Sequence, residues 1–122
     1  MTAHDTFDFG AYRWDVTAAA RIAAALPVRE LDVTGLPAGL VYVDAAHAAQ
    51  VDLEVPVLAV LIGDLDSQVM LIDGWHRVHR ARSEGRDRLP CRVLDERQEL
   101  EVRLYGGSKG MPRRTSRYRP SA

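Results

Sequence analysis

Short apolar blocks along the chain predict most of its β-strands. The continuous run VPVLAVLI at 55–62 and the run VMLI at 69–72 predict two buried strands, because both are apolar on every side. The alternating segment VRELDV at 28–33 predicts a further strand, on a weaker signal. LVYV at 40–43 and LPCRVL at 89–94 are the remaining strand candidates of this kind.

Helical patterns separate these strands. The alanine-rich segment DVTAAARIAAALP at 15–27 predicts a helix with a capping residue near its start and proline at its end. A short helix is predicted after Asp44, and Asp95 with Gln98 resembles the capping pair of another. LEVRL at 100–104 then alternates like a strand, and its boundary with that helix stays open.

The hydrophobic period becomes helical directly after the strand VMLI. Trp75, Val78 and Ala81 recur at helical spacing, and Gly85 is typical of a helix end. The next strand, LPCRVL, completes a strand–helix–strand unit. The mixed order of helices and strands therefore predicts an α+β fold built on a single small mixed sheet.

Charge is distributed unevenly, although the net charge is only −1. Residues 1–74 carry 11 acidic and 3 basic residues, whereas residues 75–122 carry 13 basic and 6 acidic residues. All but one of the basic residues are arginines, which bind phosphate through a bidentate fork.

Composition predicts a polar and aromatic arm at 1–13, a domain at 14–105 and a basic disordered tail at 106–122.

Several classes of protein are excluded by composition. Cys91 is the only cysteine, so the chain forms no internal disulfide and no zinc site of the CxxC type. No apolar run approaches the ~20 residues of a membrane span. The N-terminal residues lack the basic-then-apolar pattern of a signal peptide, and we therefore expect a cytoplasmic protein.

The start of the predicted helix after Asp73 carries cations where the backbone is already positive. A cation in the first turn of a helix is unfavourable by about 0.3–1 kcal/mol. His76 and Arg77 avoid this cost if an anion binds between them and the free backbone N–H groups. Gly74 leaves room for that anion, and Asp73 would cap the helix, hold Arg77 or ligate Mg²⁺. The alternative is a plain strand–helix junction.

The segment PVLAVLIGDLDSQVMLIDGWHRVHRARSEGRDRLPCRVL at 56–94 resembles the core of the ParB/sulfiredoxin superfamily. Its members share a proline-led strand, a second strand that ends in a D-G-x-H-R or G-x-R-R type box, a helix and a further strand. The resemblance implies a ParB/sulfiredoxin-like fold in which this box binds a nucleoside triphosphate, ATP or CTP, with Mg²⁺. The residues that it implies for the nucleotide are Gly74, Trp75, His76 and Arg77.

The activities known in this superfamily differ. ParB proteins hydrolyse CTP, sulfiredoxins use ATP to repair an oxidised peroxiredoxin, and free serine kinases phosphorylate a small amino acid. Trp75 stands where sulfiredoxins have their catalytic cysteine, so we expect no sulfiredoxin activity. We also expect no room for the DNA-binding and dimerisation segments of ParB. The resemblance therefore favours phosphoryl transfer or nucleotide hydrolysis, with Asp73 and His76 as catalytic residues and Asp73 as the metal ligand.

Two other functions stay open. One is a non-catalytic DNA- or RNA-binding module that uses the basic C-terminal half. Its tail cations are Lys109, Arg113, Arg114, Arg117 and Arg119. The other is a ParB-like nuclease with Asp73 and His76 around one metal ion, although the sequence lacks the paired acidic ligands that favour it.

Several residues near the box have two interpretations each. Trp75 either packs in the core, which we favour, or stacks on a base beside the phosphates. Arg80 and Arg82 either extend the anion site or belong to the helix surface, and we favour the surface.

Glu30 and Glu54 are candidate acids, since an early glutamate acts as a base in amino-acid kinases of this fold. His79 is expected in solvent, His47 is a lone histidine, and Cys91 is expected to be a small buried apolar residue.

Overall fold

The computed structural model describes residues 5–36 and 44–111, which form seven strands and four α-helices. The strands are β1 (Thr6–Phe9), β2 (Tyr12–Asp15), β3 (Arg29–Asp32), β4 (Val57–Ile62), β5 (Gln68–Asp73), β6 (Arg88–Leu94) and β7 (Arg103–Tyr105). The helices are α1 (Val16–Ala23), α2 (Ala45–Ala48), α3 (Trp75–Ser83) and α4 (Glu96–Val102). The predicted strand at 40–43 lies outside the described residues.

The described strands form two sheets, whereas the sequence predicted one. The larger sheet has the order β3-β6-β4-β5, in which β4 and β6 run parallel and the other neighbours run antiparallel. The smaller sheet has the order β1-β2-β7 and is antiparallel. The fold is thus α+β with mixed pairing, but the prediction of a single sheet was wrong. Residues 1–13 were assigned to an arm, so the strands β1 and β2 that pair with β7 were not predicted.

The β1–β2 hairpin occupies the segment that we expected to be an arm. Gly10 turns the chain between the two strands with φ +61°, a conformation that glycine adopts readily. The ring of Phe7 stacks 6.3 Å from that of Trp14 and 6.4 Å from that of Trp75. Since Trp14 and Trp75 are buried, the hairpin contacts the core through Phe7.

A buried ion pair lies between the two sheets. Arg103 donates hydrogen bonds of 2.6 and 2.7 Å to the two carboxylate oxygens of Glu99, and both side chains are fully buried. Trp14 Nε1 donates to the same carboxylate at 2.8 Å. Glu99 raises the pKa of Arg103 above its ordinary value, so the guanidinium stays charged. Arg103 also donates to Asp64 at 2.7 Å, in the turn between β4 and β5, and so connects the sheets.

The first residues of the expected disordered tail are ordered. Gly106 (φ +113°) and Gly107 (φ +55°) start a 3₁₀ turn over Gly107–Lys109. The backbone N–H and the hydroxyl of Ser108 donate to Asp64 at 2.8 and 3.1 Å. These hydrogen bonds hold the 3₁₀ turn against the β4–β5 turn. Residues 112–122 lie outside the described part of the chain.

The helix caps agree with the sequence signals. Asp15 accepts a hydrogen bond of 2.9 Å from the N–H of Ala18 at the start of α1. Asp95 and Gln98 form a capping box at the start of α4, as predicted. In the described ranges, no helix is long and apolar enough to span a membrane.

Candidate functional site

The junction between β5 and α3 depends on a glycine. Gly74 lies between the last residue of β5 and the first of α3, with φ +108°. A Cβ atom at this position would lie 2.6 Å from Cγ1 of Val57 and 2.9 Å from Nη1 of Arg77. Glycine is therefore favoured by the backbone conformation and by the close approach of the buried Val57 on β4, whereas the end of the Arg77 side chain could move aside.

The start of α3 has no side-chain cap. The N–H groups of Arg77 and Val78 donate to the carbonyl of Gly74 at 2.9 and 3.1 Å. Within residues 5–36 and 44–111, the N–H groups of Trp75 and His76 have no acceptor. Because these amides lie at the positive end of the helix dipole, they favour a bound anion.

Arg77 folds back toward this helix start. Its side chain is half-buried, and Nη1 lies beside Gly74 and 3.4 Å from the carbonyl oxygen of Pro56. It makes no ion pair with any carboxylate of the described residues. A guanidinium has five N–H donors, and most of those of Arg77 are thus available to an anion.

His76 connects the site to α2. Its Nε2 accepts a hydrogen bond of 3.3 Å from the backbone N–H of Asp44, the residue that caps α2. Its ring contacts that of His47 edge to face, with the centroids 4.6 Å apart. Because Nε2 acts as an acceptor, the proton of the neutral imidazole lies on Nδ1, and this N–H is the remaining donor of His76.

A cleft of about 400 Å³ opens beside the junction, a size within the range of small-molecule pockets. The exposed carboxylate of Asp73 lies on its wall and has no side-chain partner in the described part of the chain. The N-terminal hairpin, the start of α1 and the β5–α3 junction all contribute to the cleft. Its lining residues are Asp5, Thr6, Phe7, Val16, Ile72, Asp73, Gly74, Trp75 and His76.

The side chain of Trp75 belongs to the core. It is 4% exposed, its Nε1 donates to the carbonyl of Leu71 at 2.9 Å, and its ring stacks on Phe7. Core packing, the interpretation that we favoured, is therefore confirmed. The residue can contribute its backbone N–H to a ligand, but its ring faces are used in packing.

Cys91 is likewise fully buried, and burial raises the pKa of its thiol to about 11.

Arg80 and Arg82 hold neighbouring loops. Both side chains are partly exposed on the surface of α3. Arg80 donates to the carbonyl of Val51 and to the carboxylate of Glu84. The carbonyl oxygens that accept from Arg82 are those of Val33, Thr34 and Leu36. These hydrogen bonds hold both guanidinium groups against the loops, and neither arginine lines the cleft beside α3. His79 is exposed, as expected.

Glu30 and Glu54 lie in a different cleft, of about 310 Å³. Their side chains are 73% and 77% exposed and pair loosely with Arg88 at 3.5 Å and Arg86 at 3.3 Å. This cleft shares no lining residue with the one beside α3. The structure therefore does not bring either glutamate to the predicted site, where one of them would act as a base.

The described residues give little support for the predicted Mg²⁺ ligands or for the predicted contacts between the tail cations and nucleic acid. Over 5–36 and 44–111, no three His, Cys, Asp or Glu side chains are grouped so that they could hold a metal ion. Asp73 therefore has no such group of ligands around it in this part of the chain. Lys109 Nζ donates to the carbonyl of Arg103 at 2.8 Å. The other tail cations, Arg113, Arg114, Arg117 and Arg119, lie outside the described residues, so nucleic-acid binding stays a hypothesis.

Comparison of the chain with known protein families, curated proteins and solved structures finds no match. The ParB/sulfiredoxin resemblance of residues 56–94 therefore stays a prediction. The functional argument accordingly depends on the geometry at the start of α3.

Sequence reasoning missed several residues around this site. Asp5 and Phe7 line the cleft although they were assigned to an arm. His47 contacts His76, and Val57 is the neighbour that requires glycine at position 74. All four lie well outside residues 73–77, the DGWHR segment that carries the resemblance, and no local sequence pattern connects them with it.

Proposed function

We propose that this chain is a nucleotide-binding domain of the ParB/sulfiredoxin-like type, which holds the phosphates of a nucleoside triphosphate at the start of α3. The observation that carries the proposal is the combination of an uncapped helix start with a guanidinium. Among the described residues, the amides of Trp75 and His76 have no acceptor and Arg77 has no carboxylate partner.

The electrostatics of this arrangement favour a phosphate. The cost of a cation near the positive end of α3, about 0.3–1 kcal/mol, is removed when an anion binds there. Arg77 then binds phosphate oxygens through charge-assisted hydrogen bonds, and the two free amides donate along the helix axis. Nδ1–H of His76 is a further donor, since the backbone of Asp44 occupies Nε2.

Mg²⁺ fits the site only together with phosphates. This ion commonly binds proteins through one or two carboxylates and takes its other ligands from water and substrate phosphates. Asp73, exposed on the cleft wall, supplies one such carboxylate. When bound, the ion would neutralise negative charge on the phosphates.

We further propose phosphoryl transfer to a small hydroxyl compound, or nucleotide hydrolysis, as the reaction. Such reactions depend mainly on the position of the reactants and on charge neutralisation. Asp73 is the better candidate for the base, through the carboxylate oxygen that would not face Mg²⁺, because this carboxylate is exposed in the cleft and has no partner within the described residues. His76 Nε2 already accepts from Asp44, so His76 is better suited to donate from Nδ1 than to accept a proton.

Isothermal titration calorimetry with Mg·ATP and Mg·CTP tests the proposal. We expect the wild type to bind at least one of them, and Arg77→Ala to bind it about tenfold to a hundredfold more weakly, because it loses hydrogen bonds to a charged group. Arg97→Ala is the matched control, since Arg97 is an exposed arginine of α4 that pairs with Glu101. Circular dichroism would verify that both variants are folded.

Two results would contradict the proposal. One is the absence of binding heat for the wild type with either nucleotide. The other is an Arg77→Ala protein that is folded and binds as tightly as Arg97→Ala.

A further inference from the structure

The cleft beside α3 extends from the free amides at the start of this helix to the N-terminal hairpin, and Arg77 is not among its lining residues. Asp5 and Phe7 line it on the hairpin side, whereas Gly74 and His76 line it on the helix side. Neither Asp5 nor Phe7 has a part in phosphate binding as proposed above. A carboxylate in particular would repel phosphate, and its presence on the wall therefore calls for another explanation.

Asp5 is held firmly by its backbone while its side chain is left exposed. Its N–H donates to Thr17 Oγ1 at 2.8 Å, and its carbonyl accepts from the N–H of Val16 at 2.9 Å. Its carboxylate is exposed and has no hydrogen-bond or ion-pair partner in the described part of the chain. An acceptor is thus presented at a fixed position beside the cleft.

Phe7 provides an apolar wall next to this acceptor. The ring is half-buried and is held by stacking contacts with Trp14 and Trp75, both of which are buried in the core. The part of Phe7 that lines the cleft is therefore rigid. Apolar walls with a few fixed polar groups are typical of sites that bind the organic part of a ligand.

A ligand that suits both ends of the cleft is anionic at one end and carries hydrogen-bond donors at the other. We infer that Asp5 and Phe7 form the nucleobase end of the site, and that Asp5 selects bases with an exocyclic amino group. This inference rests on the proposed function. The exocyclic amino groups of adenine, cytosine and guanine donate to carboxylates, whereas uracil has no amino group and carries a carbonyl oxygen, which a carboxylate repels, on each side of its single ring N–H donor.

Calorimetry with four magnesium nucleotides and with inorganic tripolyphosphate tests the inference. We expect at least one of ATP, CTP and GTP to bind about tenfold or more tightly than UTP, because UTP loses a charge-assisted hydrogen bond. In Asp5→Asn the ratio between the affinity for the preferred nucleotide and the affinity for UTP should fall close to one, since an amide can also donate to a carbonyl oxygen. Tripolyphosphate should bind Asp5→Asn as it binds the wild type.

Asp8→Asn is the matched control. Asp8 lies on β1, just after Asp5, pairs with Arg13 at the surface and does not line the cleft, so its replacement should preserve the nucleotide preference. A second variant, Phe7→Leu, should weaken the binding of every nucleotide relative to tripolyphosphate.

The possible outcomes separate the two proposals. If tripolyphosphate and all four nucleotides bind the wild type equally and Asp5→Asn changes nothing, the nucleobase inference is wrong and the phosphate site stands. If neither tripolyphosphate nor any nucleotide binds, both proposals are wrong. If Asp8→Asn abolishes the preference as Asp5→Asn does, the effect comes from the charge of the hairpin, and the role of Asp5 is rejected.

Discussion

At the scale of single residues, Gly74 shows how one position sets the geometry of the site. The sequence suggested that this glycine leaves room for an anion near the backbone. The structure gives a further reason, because Val57 and the guanidinium of Arg77 occupy the space where a Cβ atom would lie. The glycine thus leaves room for Arg77 close to the start of α3.

Gly74→Ala should destabilise the fold more than the same change at another glycine with positive φ. We expect a loss of roughly 2–4 kcal/mol in the free energy of unfolding, from left-handed strain and from overlap with Val57. Gly85→Ala is the control, because Gly85 has φ +74° but nothing within 4 Å of its Cβ position. It should cost about 1–2 kcal/mol. Equal losses in urea unfolding would show that the close approach to Val57 has no energetic weight.

At the scale of elements, α3 and α4 begin in opposite ways. The first turn of α4 is closed by its own side chains, since Asp95 accepts from the N–H of Gln98 at 2.8 Å and Gln98 Oε1 accepts from the N–H of Asp95 at 2.9 Å. The first turn of α3 has Gly74 at its cap and no such side chain. The same chain thus satisfies one helix start internally and leaves the other available to a ligand.

Asp95→Ala should therefore lower the free energy of unfolding by about 0.5–2 kcal/mol, the usual cost of removing a helix N-cap. Glu101→Ala is the control on the same helix, because its ion pair with Arg97 is exposed. That change should stay within about 0.5 kcal/mol. Thermal unfolding followed by circular dichroism measures both, and a loss for Asp95→Ala no larger than for the control would contradict the role of the cap.

At the scale of the whole molecule, Asp64 is the point where the two sheets and the C-terminal turn meet. Its carboxylate accepts from the backbone N–H of Ser108 and from Arg103, whose guanidinium also pairs with Glu99. These interactions hold the pKa of Asp64 below its ordinary value, with the hydrogen bond from Ser108 as the main cause. Folding is therefore linked to the charge of this one side chain.

The pH dependence of stability follows from that pKa. A carboxyl group whose pKa is lower in the folded than in the unfolded state stabilises the fold above its unfolded pKa, near 4, and loses this effect as the pH falls through the folded value. Asp64→Asn should therefore be less stable than the wild type at neutral pH. The difference should shrink below about pH 4.

Urea unfolding at a series of pH values measures this difference. Asp66→Asn, in the same turn, is the control, because Asp66 is exposed and has a left-handed backbone that asparagine tolerates. It should leave the pH profile unchanged. A constant difference between Asp64→Asn and the wild type down to the lowest pH would contradict the linkage.

The sequence by itself determined the elements that carry strong local signals. The apolar runs at 55–62 and 69–72 become β4 and β5, the helical period after Gly74 becomes α3, and the pair Asp95–Gln98 caps α4. These predictions succeed because periodicity and capping depend on residues within a few positions of one another. Local sequence also indicated that a helix starts after Gly74, and therefore where its free amides and Arg77 lie.

Only the tertiary structure decided how distant segments combine. It placed the short hairpin strands in a second sheet, brought Asp5 to the cleft beside Asp73, and set Val57 against Gly74. It also placed Glu30 in a different cleft, away from the predicted base position. Such contacts join residues tens of positions apart, and they arise from the burial of apolar side chains in a shared core, a cooperative effect that no local pattern records.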